Sequence, residues 1–314
     1  MRIIQPSAHI LPKDNIILRH VERCGRIAYK SEDAITATSC LNFIERIIES
    51  GHESVLEHGN HIFSTNEAGY NALKEVYQAT DFDSKWAKTK GYSARLRFSN
   101  IEHNHIVSGH IRAWRDFIRV ARHDGLEIPQ WVQNALHGRA EFGDLDLVFK
   151  DSYEVFRPIF DKKDLTADEQ FIHWTETVHF ICSRAISHEL VRHRTLSPTQ
   201  ESQRYCNYSK GKFGGEITFI EPLWTERDLG LFGSWYKSMA NAEYDYLFGL
   251  ENGLQAQESR EHLPNSTKTE LVMTGTIGDW IHFFGLREAP DAHPEMRRLA
   301  IPLKSEFIDN GYAM

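Results

Sequence analysis

The chain has 314 residues and a mass of 36.3 kDa, with 41% hydrophobic and 25% charged residues. That is ordinary globular composition, long enough for two domains or one elaborated domain, and it excludes a disordered chain. The 36 basic residues stand against 44 acidic ones, a net of -8, which disfavours general affinity for nucleic acid or an anionic membrane. No stretch free of Asp, Glu, Lys and Arg exceeds about eleven residues, too short for a membrane-spanning helix of about 20 apolar residues.

The opening residues MRIIQPSAHILPKDN carry no continuous apolar run, so no secretory leader is expected. Cys24, Cys40, Cys182 and Cys206 form no CxxC pair and are expected as thiols in a cytoplasmic protein. No internal repeat is visible. Asp14 can cap a helix running through Ile17, Val21 and Ile27, and Leu41, Ile44, Ile47 and Ile48 mark a second that stops at Gly51. GHESVLEH follows, and then HIFST as a short strand. ARLRFSNIEHNHIVSG alternates like a strand, and HIRAWRDFIRVARHDG has helical spacing.

Thr166 with Glu169 forms a capping box, and Phe171, Trp174, Val178, Ile181 and Ala185 follow at helical intervals. A single helix is therefore expected from Thr166, ended by Pro198 at or before Ser197. Arg227 to Leu250 should form a long helix, TKTELVMTG a strand, DWIHFFGLR a short helix, and the residues after Pro294 a last one. The mixture lacks regular βαβ alternation, so an α+β fold is expected: helices around a mainly antiparallel sheet.

The densest chemistry lies between Arg184 and Lys212. Six basic residues there stand against Glu189 and Glu201, a basic island in an acidic protein. On a straight helix, Arg192 and Arg194 would point in nearly opposite directions. At a helix end leading into a loop they can serve different ligands. Guanidinium groups, the hydroxyls of Ser197 and Ser202, and open amides suit a phosphate or pyrophosphate. The bland alternative is a basic helix end over its own carbonyls. His188 and His193 form HExxxH, one residue longer than the zincin HExxH. On a regular helix they lie about 140° apart and cannot grip one ion, so no metal is expected.

Arg192-His193-Arg194, seven residues and then Ser202 resembles the RHR-x7-S signature of flavin-dependent thymidylate synthases. SHELVRHR and QESQRY on either side agree with it. Gly51-His52-Glu53-Ser54 with Glu57-His58 resembles the family's GHES/T-xx-EH element, and GRIAYKS an earlier block. REHLPNSTKTELVMTG, FFGLR and AHPEMRRLA resemble its C-terminal half. The likeness covers about two-thirds of the chain as one domain, leaving 67–166 as an inserted segment.

The resemblance implies methylation of dUMP to dTMP, with methylenetetrahydrofolate as carbon donor and hydride carried on FAD from NADPH. It implies a cytoplasmic homotetramer with shared sites and no nucleic-acid partner. It further implies that FAD meets Ser54, Arg192, His193, Arg194, Gln200, Thr276, Ile277, Gly278 and His282, with Ser54 reaching it from another subunit. By the same resemblance, dUMP meets Glu189, Leu190, Val191, Arg192, Gln200, Glu201, Ser202, Gln203, Arg204, Arg260 and Arg287. Arg287 would activate uracil, since a fixed guanidinium stabilises charge at N3 and O4.

Three positions depart from the family's pattern: Glu189 stands where many members have glutamine, and Thr276 and Gly278 occupy the region where many members place an Asn and an Arg. An inactive flavin- or nucleotide-binding homologue and a nucleic-acid-binding protein are the alternatives.

Overall fold

The computed structural model describes residues 1–82, 95–148, 150 and 156–314. After the short strands β1 (Arg2–Ile4) and β2 (Ser7–Ile10), the first helix, α1 (Ile17–Tyr29), forms where the apolar spacing predicts. Asp14 accepts from the amide of Ile16 at 2.9 Å just ahead of it. Helix α2 (Ser39–Glu49) ends beside Gly51, whose φ of +71° suits glycine. Val21, Phe43, Ile44 and Ile47 join the two helices in one buried cluster.

Two four-stranded antiparallel sheets organise the rest. One has the order β4-β5-β3-β6, from β3 (Asn60–Thr65), β4 (Arg97–Ile101), β5 (Asn104–His110) and β6 (Phe156–Pro158). The other has the order β2-β7-β10-β8, from β7 (Thr175–Ser183), β8 (Ser197–Gln200) and β10 (Lys268–Thr276) with β2. A parallel pair, β1 with β9 (Thr218–Ile220), stands apart. Helices α3 (Glu67–Ala79), α4 (Ile111–His123) and α5 (Gln130–Leu136) cover the first sheet. Around the second lie α6 (Ala167–His173), α7 (Arg184–Leu190), α10 (Ile277–Arg287) and α11 (Pro294–Asp309), while α8 (Leu229–Glu251), with α9 (Ala256–Ser259) against it, packs in a separate cluster with the β1–β9 pair. The α+β expectation, with mainly antiparallel sheets, is met. Among the described residues no helix is long and apolar enough to cross a membrane.

The single helix expected from Thr166 does not form. The capping box is present: Thr166 Oγ1 accepts from the Glu169 amide at 3.3 Å, and Glu169 Oε2 from the Thr166 amide at 2.8 Å. It starts only α6, which stops at His173. Residues 175–183 then run as a strand hydrogen-bonded on both edges, to β2 and to β10. Val178, Phe180 and Cys182 alternate inward, and all three are fully buried. A helical apolar spacing and a two-residue alternation coincide in this segment, and pairing along the whole length of β10 decides for the strand.

Polar groups cross the second sheet as a continuous chain. His20 Nε2 meets Thr177 Oγ1 at 2.9 Å, and Thr177 Oγ1 meets Thr274 Oγ1 at 2.6 Å. Thr274 meets His58 Nδ1 at 2.7 Å, and His58 Nε2 meets Thr199 at 2.8 Å. In the other sheet His173 joins Ser108 and Ser99, both at 2.7 Å. Burial pushes His20 down to about 3, His58 to about 4 and His173 to about 3.

All three are neutral when folded, whereas in the unfolded chain they take protons near pH ~6.5. Acid therefore favours unfolding from about that pH downward, and the loss continues until the folded-state values are reached. The melting temperature should fall steadily between pH 7 and pH 4, and His58→Gln should make the slope shallower. Calorimetry showing a flat profile over that range would contradict this assignment.

Candidate active site

The basic motif sits where the chain leaves α7. The helix ends at Leu190, and residues 191–194 turn away from it. His193 is buried, and its ring meets Phe283 edge-on with centroids 4.9 Å apart. Arg192 and Arg194 are exposed and, among the described residues, their guanidinium groups have no protein partner. The turn thus separates the two guanidiniums from the histidine between them.

Arg287 closes on this turn from the last position of α10. Its Nε donates to His193 Nε2 at 2.6 Å, its Nη1 to Glu189 Oε2 at 2.9 Å and its Nη2 to the Glu189 carbonyl at 3.2 Å. His193 accepts here, so its Nε2 carries no proton. Burial first, and then the neighbouring Arg287 charge, bring its pKa down to about 4. Glu189, the residue that departs from the family, therefore serves as the carboxylate partner that fixes Arg287. A guanidinium has five N–H groups, and three are used here. One remains on each terminal nitrogen. His282 lies exposed on the same helix. Leu190 is buried and Val191 exposed.

A second group gathers around a cavity of about 260 Å³ beside β8. Gln200 and Ser202 line one side, and Ser54, His52 and Tyr29 the other. Tyr29 and His52 meet at 3.1 Å, and Tyr205 lies against Tyr29. His58, one turn beyond Ser54, pins this side to Thr199. Gln203 Nε2 is buried with no partner among the described residues, a donor turned to nothing in the protein. Arg204 reaches Gln257 at 3.1 Å, on α9 just ahead of Arg260, and both arginines are exposed.

Four of the expected ligand residues are engaged or packed within the fold. Glu201 is not available to wrap a ligand: it is 2% exposed, accepting from Tyr208 at 2.8 Å and from Lys268 at 3.0 Å. At the start of α10, Asp279 accepts from the Thr276 hydroxyl and amide, and the Ile277 amide bonds to the Trp174 carbonyl. A Cβ at Gly278 would lie 2.9 Å from the Phe171 ring, so a larger residue there requires Phe171 to shift. The hydroxyl of Thr276 and the amides of Thr276 and Ile277 are consumed within the fold. Arg287 and the cavity are also distinct: neither Arg287 nor Arg192 lines the space that takes Ser54 and Gln200.

Tyr29, His52 and Tyr205 complete the cavity although the signature itself does not include them. The one available signal was their position inside the quoted motif blocks. Lys268 was missed as well. It lies between Glu201 and Glu270, 2.6 Å from the latter, and Lys30 and His179 complete the network. These partners hold the Glu270 carboxyl far below its ordinary range despite burial.

The class defined by fold and site is thus an α+β protein with two exposed arginines, an Arg287 guanidinium held by Glu189 and His193, and a separate cavity lined by Ser54, Gln200 and Ser202. Residues 167–309 match the family described as "Thymidylate synthase complementing protein". Over 126 residues the chain is 36% identical to a flavin-dependent thymidylate synthase of Pyrococcus abyssi, covering 40% of this chain and 51% of that protein. A Geobacter sulfurreducens protein of the same name is 36% identical over 121 residues, 38% of this chain and 50% of that one. Among solved structures, a UMP/dUMP methylase from Streptomyces cacaoi bound with 5-Br dUMP overlaps 98% of this chain and 93% of its own, at 14% identity and a TM-score of 0.41. The chain spans about half the length of the curated relatives it matches. The likeness to the flavin-dependent thymidylate synthase family read from the motifs is borne out over the C-terminal stretch.

Lys268 gives a direct test of the buried charges. Lys268→Met leaves the Glu201 carboxylate without its cation and should cost about 3–5 kcal/mol of stability, with part recovered in Lys268→Met/Glu201→Gln. Denaturant titration showing an unaffected single variant would refute the pairing.

Proposed function

We propose that the protein methylates dUMP to dTMP in the cytoplasm, with methylenetetrahydrofolate as carbon donor, NADPH as reductant and FAD as resident cofactor. The observation that carries this reading is the Arg287 guanidinium, held by Glu189 and His193 beside the two unpartnered arginines of the signature.

The residues present fit the ligands. Arg192 and Arg194 can meet phosphate oxygens without breaking an internal ion pair. The hydroxyls of Ser54 and Ser202 offer further polar partners around the cavity, and the buried Gln203 Nε2, next in sequence to Ser202, has no partner among the described residues. FAD, when bound, supplies the hydride that completes the methyl group. Arg287 keeps one N–H on each terminal nitrogen to stabilise charge at uracil N3 and O4, so that C5 becomes nucleophilic. Glu189 fixes the orientation of that guanidinium, and neutral His193 holds its Nε without adding a competing charge.

The purified protein should be yellow, and its flavin spectrum should respond to dUMP. Arg287→Ala should lower turnover by about 10²–10³-fold while FAD stays bound. A protein that takes up no FAD would sink the reading. Bound FAD with no dTMP formed from all three substrates would leave an inactive homologue.

A further inference from the structure

We propose that the chain is an internal duplication, in which the first copy has shed the arginine triplet and the counterpart of Arg287 and stands where a second subunit would stand. This does not depend on the reaction proposed above. The two four-stranded sheets have the same order, with β4, β5, β3 and β6 matching β8, β10, β7 and β2. Their registers superpose residue for residue. Arg97 lies opposite Ser108 as Ser197 lies opposite Thr274, and Asn60 opposite His110 as Thr175 opposite Thr276. Pro158 lies opposite Phe63 as Ile10 lies opposite Val178. Just beyond these strands, the Ile159 amide bonds to the Ile62 carbonyl at 2.9 Å and the Leu11 amide to that of Thr177 at 2.7 Å.

The side chains follow the same correspondence. Gly109-x-Ile111-x-x-Trp114-x-x-Phe117 leads from β5 into α4, and Gly275-x-Ile277-x-x-Trp280-x-x-Phe283 from β10 into α10. Both tryptophans and both phenylalanines are fully buried. A Cβ on Gly109 would run into Leu96, and one on Gly275 into Leu196, which are themselves equivalent positions. His58 bonds through Nδ1 to Thr274 and through Nε2 to Thr199; His173 bonds through the same atoms to the equivalent Ser108 and Ser99. Independent origin of matching registers, packing and two histidine bridges is a poor explanation.

The copies also interlock. Strand β2 precedes the first copy but pairs with β7 of the second, and β6 precedes the second but pairs with β3 of the first. His58 and His173 cross in the same way. On this account 67–166 is the remainder of the first copy rather than an insertion.

Only the second copy keeps the arginine triplet and Arg287. Arg287 corresponds to Ala121, which is buried. Counted on from β3 or from the cap of α3, the RHR triplet falls within Glu75–Ala79, and counted back from β4 it falls at 92–94; neither stretch of sequence contains Arg or His. The excursion 201–267 corresponds to a two-residue turn at Glu102 and His103, both with positive φ. Ser54 corresponds to Glu169, buried and accepting from Asn104 at 2.7 Å, so the equivalent position is taken. What the first copy contributes is Tyr29, His52 and Ser54, in the same chain as Gln200 and Ser202. The resemblance implied that Ser54 acts from another subunit; the duplication supplies it in cis.

Two measurements on the full, ligand-free chain test this. Native mass spectrometry should find one or two chains per particle, since two chains already carry four units; four chains would overturn the substitution of a half for a subunit. Ser54→Cys/Gln200→Cys treated with a short bismaleimide should give a linked product of single-chain mass on a denaturing gel. A product of doubled mass would overturn the assignment in cis. So would two thiols that react with a monofunctional maleimide but never link. Neither readout uses FAD or dUMP, so failure of the proposed reaction is seen separately.

Discussion

A neutral imidazole buried between two hydroxyls holds the site together. His58 follows Ser54 by one turn and ends on Thr199, the residue before Gln200. One side chain therefore fixes the distance between the two walls of the cavity. It does so because burial removes its charge. A protonated His58 would be a poorly solvated cation between two neutral oxygens. A net hydrogen bond contributes only about 1 kcal/mol, but leaving Thr199 without its partner costs about 1–3 kcal/mol, whereas Thr274 keeps its bond to Thr177. The arrangement is therefore more costly to break than its bond strengths suggest.

Charge pairing explains how an acidic protein keeps a basic island. Formal counting over 184–212 treats Glu189 and Glu201 alike, as partial neutralisers of the arginines. The fold separates their roles. Glu201 is drawn inside by Lys268 and Tyr208, and Glu189 is spent on Arg287. Neither compensates Arg192 or Arg194, so the potential at the turn is more positive than the local count implies. A carboxylate in place of glutamine at 189 is tolerable because it is neutralised from α10, a segment nearly a hundred residues away that no local reading connects to it.

The legible parts of the sequence are those where one signal acts alone. The helix at 17–29, the helix at 229–251, β10 and the last helix have unmixed periodicity and clear ends. Residues 167–183 mix two signals. The capping box speaks for a helix, and it forms one, but for only seven residues; beyond it β-branched residues and flanking strands prevail. The arginine motif was legible because its spacing is rigid. Its partition into a buried histidine and two exposed arginines was not, since that follows from the packing of Phe283 against the turn. Sheet order was hidden as well, because strand exchange places each edge strand far from its partner in sequence.

The same asymmetry between packing and exposure accounts for how two copies can share a fold and almost no recognisable sequence. Removing a buried tryptophan costs about 3–5 kcal/mol, a large share of a domain's 5–15 kcal/mol stability. Trp114 and Trp280, with the glycines that face Leu96 and Leu196, are therefore held in place whatever the copy does. An exposed arginine contributes little to stability, so once one copy has no ligand its arginines are free to change. Ala121 goes further: at the position of Arg287 it is fully buried, where a guanidinium would need a partner such as Glu189. Losing the ligand allowed that end of the helix to be packed as core. The positions at which the two copies differ most are thus the ones that chemistry, and not folding, had been holding.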